Sequence, residues 1–281
     1  MKDVTFGQYY PTNSPIHRLD ARFKIIATLL YIIFVFFIPS YIGYAVTLIF
    51  LLTTICIAKL PLGAMLKSLK AIWFLVVFMA ILNLFTYKQG KVLCSWWIFT
   101  ITDMGIDVAI KMSLRLIFIV MGASLLTLVT TPMEITDGIE SLLKPLKYIK
   151  VPVHDLALVM SITLRFIPTL MEEADKIMMA QKARGSAIDT GGIVSKVKAL
   201  VPVLIPLFTS AWRKSYELAD ALDARCYNAT PHRTKMKELK FSYRDAIALI
   251  VMILFIVFIC LDQWYFHNLD IMLINFIRGL M

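Results

Sequence analysis

Residues 246–261 read AIALIVMILFIVFICL, an unbroken apolar stretch with no charge, glycine or proline. Three other runs resemble it: 25–38 (IIATLLYIIFVFFI), 42–58 (IGYAVTLIFLLTTICIA) and 71–87 (AIWFLVVFMAILNLFTY). A helix needs ~20 apolar residues to cross a bilayer core, and flanking aromatics such as Trp264 and Tyr265 supply the remainder here. A fourth helix in chain order is expected from about residue 108 to residue 130. With 59% hydrophobic and only 17% charged residues over 281 positions, the chain reads as an integral membrane protein.

Outward from these runs the sequence is punctuated by turn and cap residues. Residues 1–24 form a polar lead in which Ser14-Pro15 is a helix-start signal and Asp20 can begin a further turn. This predicts a short interfacial helix. Pro39 and Ser40 separate the first two spans as a tight hairpin. A linker at 59–70 carries Lys59, Lys67 and Lys70, and a polar loop occupies 88–107. The tail 269–281 is apolar but too short to span. Three regions follow: 1–130 with four spans, 131–244, and 245–281 with the last span and the tail.

Lys and Arg are distributed unevenly, with 17 of the 29 in residues 131–244. Five crossings place that region and the N-terminus on the cytoplasmic side and the C-terminus outside, by the bias of basic loops toward the cytoplasm. A model in which 153–171 and 199–212 also span would put Lys176, Lys182, Arg184, Lys196 and Lys198 outside, against that bias. Within the fourth span, Lys111 and Arg115 lie four residues apart on one face. Either both snorkel to the outer interface, or Arg115 faces inward and makes an intramembrane polar contact with a neighbouring helix.

Residues 131–228 carry three helical patterns. Thr131-Pro132-Met133-Glu134 has the cap, proline and glutamate of a capping box. A second helix starts near Val153 or His154. Its apolar stripe runs through Leu156, Val159, Thr163, Phe166, Leu170, Ala174 and Ile177, with a kink expected at Pro168. It ends at Ala183-Arg184-Gly185, where glycine suits a left-handed stop. A third starts after Asp189-Thr190-Gly191-Gly192 and runs through Val197, Leu200, Leu204, Phe208, Trp212 and Leu218 to Ala224-Arg225-Cys226. These helices are too apolar for water and too charged to span, so they are expected to pack together, half sunk at the membrane face. One arginine at a helix end only complements the dipole. Two in the same Ala-Arg-small setting point to a paired docking site.

Absences narrow the function. The four cysteines and four histidines have no metal-site spacing, and no disulfide is expected. The only Gly-Lys pair, Gly90-Lys91, is followed by Val, so there is no phosphate-binding loop. No Asp or Glu lies inside the five apolar runs, as an ion-coupled carrier would need, and no catalytic cluster is visible. The net charge of +10 is accounted for by basic loops and anionic lipid, with no soluble domain to bind nucleic acid.

Ser14-Pro15-Ile16-His17-Arg18-Leu19-Asp20-Ala21-Arg22-Phe23-Lys24, Thr131-Pro132, Pro145-Leu146, Leu164-Arg165-Phe166-Ile167-Pro168, Ala180-Gln181-Lys182-Ala183-Arg184-Gly185 and Asp223-Ala224-Arg225 occur in that order. Over nearly its whole length the chain resembles the transmembrane T component of energy-coupling factor (ECF) transporters. The resemblance implies an all-α membrane protein of about five transmembrane helices plus two or three long cytoplasmic coupling helices, in the plasma membrane of a prokaryote. It implies a non-catalytic scaffold with no cofactor of its own, ATP and Mg belonging to two ABC-type ATPases. A small membrane subunit would bind a vitamin or other micronutrient. Ala183, Arg184, Gly185, Ala224, Arg225 and Cys226 would be the ATPase-docking residues. Cys226 departs from the family's second glycine. Cysteine in a left-handed stop costs about 1 kcal/mol more than glycine, so the third helix is expected to run on toward Asn228. A secondary transporter or channel acting alone is the alternative.

Overall fold

The computed structural model describes residues 9–87, 92–96, 99–149, 153–186, 192–227 and 241–266. The helices are α1 (Ala21–Phe36), α2 (Tyr41–Ala58), α3 (Leu62–Thr86), α4 (Asp103–Val129), α5 (Pro132–Leu143), α6 (Val153–Ala183), α7 (Ile193–Ala224) and α8 (Tyr243–Leu261). The chain divides into two compact units, one of residues 1–149 and 240–281 and one of residues 150–239. The protein is an all-α, multi-pass membrane protein, with one small hairpin among the described residues. The tail 269–281, Asn228 and the stretch Asp189–Gly191 lie outside the described residues.

In the first unit, four described helices are long and apolar enough to cross a membrane: Tyr41–Ala58, Gly63–Thr86, Asp103–Val129 and Tyr243–Trp264. The fifth apolar run is α1, whose 16 residues span about 24 Å, short of a ~30 Å hydrocarbon core. Several expected boundaries move. Pro15–Arg18 form turns rather than an interfacial helix, and α1 starts at Ala21, where the Asp20 carboxylate caps the amide of Arg22 at 2.9 Å. The linker with Lys67 and Lys70 is already helical, because α3 begins at Leu62. The polar loop holds an antiparallel hairpin, β1 (Val92–Trp96) and β2 (Phe99–Thr102), built from residues that favour strands. Thr102 then caps Gly105 at 3.1 Å, so α4 starts at Asp103 rather than near 108.

The core lies where α1, α2, α4 and α8 meet. Tyr31, Phe50 and Phe255 stack, with the closest ring centroids 4.3 Å apart, and the Tyr31 hydroxyl donates to the Phe118 carbonyl at 3.2 Å. Gly122 lets Tyr31 approach α4: a Cβ there would lie 2.3 Å from its ring. Two acids that flank the last apolar run anchor α8 at both ends. Asp245, fully buried, accepts from the amides of Asp20 at 2.8 Å and Ser242 at 2.7 Å. Asp262, also buried, accepts from the Ser40 hydroxyl at 2.6 Å, over the start of α2. These contacts make α1 and α8 parallel neighbours. Arg115 reaches the corner between α1 and α2, donating from Nη2 to the Ile38 carbonyl at 3.1 Å. Lys111 pairs with Asp107 at 3.2 Å and lies over the Tyr41 ring, whose hydroxyl bonds to Asp107. The expected capping box closes α5: Glu134 N donates to Thr131 Oγ1 at 3.2 Å, and Thr131 N to Glu134 at 3.3 Å.

In the second unit the described residues form the helix pair α6 and α7. α6 continues as one helix through Pro168, and α7 through Pro202 and Pro206.

Candidate functional site

α6 stops where its sequence says it must. Gly185 has φ +86°, its amide donates to the Lys182 carbonyl at 3.0 Å, and the Ser186 amide donates to Gln181 at 3.0 Å. This pair of bonds is the Schellman closure, with Arg184 as the last residue before the left-handed one. α7 stops in the same way. Cys226 has φ +51°, its amide donates to Asp223 at 2.9 Å, and the Tyr227 amide donates to Leu222 at 3.0 Å. The expected continuation toward Asn228 is therefore corrected. Two new amide-to-carbonyl bonds offset the strain of a non-glycine residue in the left-handed region. Arg184 and Arg225 occupy equivalent positions in equivalent motifs.

Ala183, Arg184, Gly185, Ala224, Arg225 and Cys226 are all exposed. Among the described residues neither guanidinium is hydrogen-bonded or ion-paired. Each lies at the negative end of a helix dipole and presents a permanently charged, planar fork of donors.

The two helix ends are tied together further back. The Glu173 carboxylate accepts from both the Ser210 hydroxyl and the Lys214 ammonium, which lie one turn apart on α7. The lysine and the hydroxyl hold the Glu173 carboxyl below its usual range, with the Lys214 hydrogen bond the largest cause. Arg184 stands eleven residues after Glu173 and Arg225 eleven after Lys214. At 1.5 Å per residue each arginine tips an arm of about 16 Å measured from the same polar clamp. No motif in the sequence marked Glu173, Ser210 or Lys214. Their signal was the 210/214 spacing, one turn of one helix face.

The face of α7 differs from the expected stripe. Val203 and Ser210 are buried, whereas Leu204, Phe208 and Trp212 are exposed, Phe208 at 67%. Phe208, Trp212 and Tyr216 form a ladder with ring centroids 6.0 and 5.6 Å apart. On α6, Leu156 and Val159 are likewise exposed. The most apolar side of the pair is thus turned outward, because the polar clamp claims the inner one.

Residues 12–236 match the family model described as CbiQ, cobalt transport protein. An energy-coupling factor transporter transmembrane protein of Ruminiclostridium cellulolyticum is 47% identical over 266 residues, 95% of this chain and 99% of its own length. Proteins of the same description from Clostridium kluyveri and Bacillus subtilis are 49% and 42% identical, over 88% and 90% of this chain and 92% and 96% of their own lengths.

Proposed function

The chain belongs to the CbiQ family of cobalt transport proteins, alongside the transmembrane proteins of energy-coupling factor transporters, and from that premise we propose that it is a scaffold driven by borrowed ATPases. Arg184 and Arg225 each enter a groove of one cytoplasmic ABC-type ATPase. ATP and Mg act there, and this chain hydrolyses nothing. Closure of the ATPases moves the two arms, and the motion reaches a separate membrane subunit that carries a vitamin or other micronutrient. The N-terminus and residues 131–244 face the cytoplasm and the C-terminus faces outward, following the distribution of Lys and Arg.

One observation carries this reading: two exposed arginines cap equal arms from a shared clamp, in matching helix stops. Two like ends suit two like partners. The outward apolar ladder of α7 supports a membrane-embedded neighbour, since an exposed apolar face of that size is ordinarily covered. Purification of the tagged chain from its native membrane tests the proposal. Two ATPase subunits and a small membrane protein should accompany it at fixed stoichiometry. A chain that purifies alone and still transports would refute it and leave the independent carrier or channel.

A further inference from the structure

The first unit contains a crevice of about 330 Å³ between α1, α2, α4 and α8. Its walls are apolar, with Phe23, Tyr31, Phe50, Leu126 and Met252 along its length. Pro15 and Arg244 line both this crevice and an adjoining polar mouth, where Asn13, Arg18 and Tyr243 are also found. Lys24 lines the crevice near the same end, its ammonium donating to the His17 carbonyl at 2.8 Å and the Val129 carbonyl at 3.3 Å.

We propose that this crevice binds one anionic phospholipid, with an acyl chain among the helices and its phosphate between Arg18 and Arg244. The lining argues for the chain: from Lys24 to Tyr31 the α1 wall is about 10 Å long and, with Phe50, Leu126 and Met252 also lining the crevice, offers an apolar path along which an acyl chain can lie. Charge argues for the headgroup. The neighbouring carboxylates are already engaged and line neither the crevice nor its mouth: Asp245 accepts from the amides of Asp20 and Ser242, and Asp20 from the amide of Arg22. Arg244 donates from Nε to the Tyr243 hydroxyl at 3.2 Å, which leaves its terminal nitrogens for a phosphate. Among the described residues neither Arg18 nor Arg244 forms an ion pair. The site is separate from the arginine-tipped arms, and its failure would leave the transporter reading untouched.

Native mass spectrometry of the delipidated full-length chain in detergent, titrated with dioleoylphosphatidylglycerol or dioleoylphosphatidylcholine, tests this directly. One phosphatidylglycerol per chain should bind in clear preference to phosphatidylcholine. Arg18→Gln and Arg244→Gln should each weaken it roughly fivefold, and the pair about 25-fold. Ala248→Phe, which fills the crevice from α8, should weaken both lipids. Equal binding of the two lipids, no binding at fixed stoichiometry, or wild-type binding by the double glutamine variant would overturn the proposal. If the glutamine variants unfold at lower temperature, the Arg18→Lys/Arg244→Lys pair decides: retained phosphatidylglycerol preference supports the site, and its loss overturns it.

Discussion

Gly185 and Cys226 close equivalent helix stops with different residues, so exchanging their chemistry should give opposite effects. A residue with a Cβ at φ +86° or +51° carries a strain of about 1–2 kcal/mol relative to glycine. Glycine gives back roughly 0.4–1 kcal/mol of this through its greater freedom in the opened chain. The net preference for glycine is thus about 0.5–1 kcal/mol, a factor of roughly two to five in local opening. No atom lies within 4 Å of a Cβ added at Gly185, so Gly185→Ala adds only the backbone cost and no clash. Hydrogen exchange at the closing amides reads the result. Gly185→Ala should speed exchange at residues 185 and 186 by about two- to fivefold, and Cys226→Gly should slow it at 226 and 227 by a similar factor. Shifts of the same sign in both variants, or none in either, would refute the equivalence of the two stops.

Other outcomes follow from the same geometry. The Glu173 carboxyl is held below its ordinary value near 4.5, so the clamp contributes fully above that pH and is lost as pH falls through the lowered value. Helix-pair stability followed by circular dichroism should therefore fall in acid, and Glu173→Gln should flatten that dependence. The charge-swapped pair Glu173→Lys/Lys214→Glu should recover function better than either single change, as scored by uptake. In the membrane unit, Gly122→Ala places a Cβ against the Tyr31 ring and should lower the thermal midpoint, at about 1–3 kcal/mol of overpacking. Asp245→Ala removes the acceptor of the buried Asp20 amide and the part-buried Ser242 amide and should destabilise by roughly 1–3 kcal/mol for the buried donor and less for the other, seen in the same thermal assay.

Much of this architecture was legible in the residues, and the failures are physically specific. Apolar runs located the helices because burial in lipid leaves the backbone no other satisfied form. The Thr131 and Glu134 box and the Gly185 stop are local, so sequence sufficed for them. Cys226 was misread because its intrinsic preference opposes the conformation that the closing bonds impose. The anchors Asp245 and Asp262 lay just outside the apolar spans, and their partners Asp20 and Ser40 are more than 200 residues away. The outward turn of Phe208 and Trp212 follows from the Glu173 clamp, a tertiary contact that helical periodicity does not contain. The 92–102 hairpin was hidden by short strands in a stretch read only for polarity.

The central claim is that the arginine-tipped ends hold the ATPases, and binding of the purified ATPases to this chain carrying Arg184→Glu and Arg225→Glu tests it most directly. Disrupting one side of a desolvated charged contact costs about 2–5 kcal/mol, so each single change should weaken association at least about 30-fold, and the double change should remove it. The thermal midpoint should fall only slightly, since both side chains are exposed and unpaired among the described residues and the reversal costs about 1 kcal/mol against each helix dipole. Wild-type affinity and stoichiometry in the double variant would contradict the account.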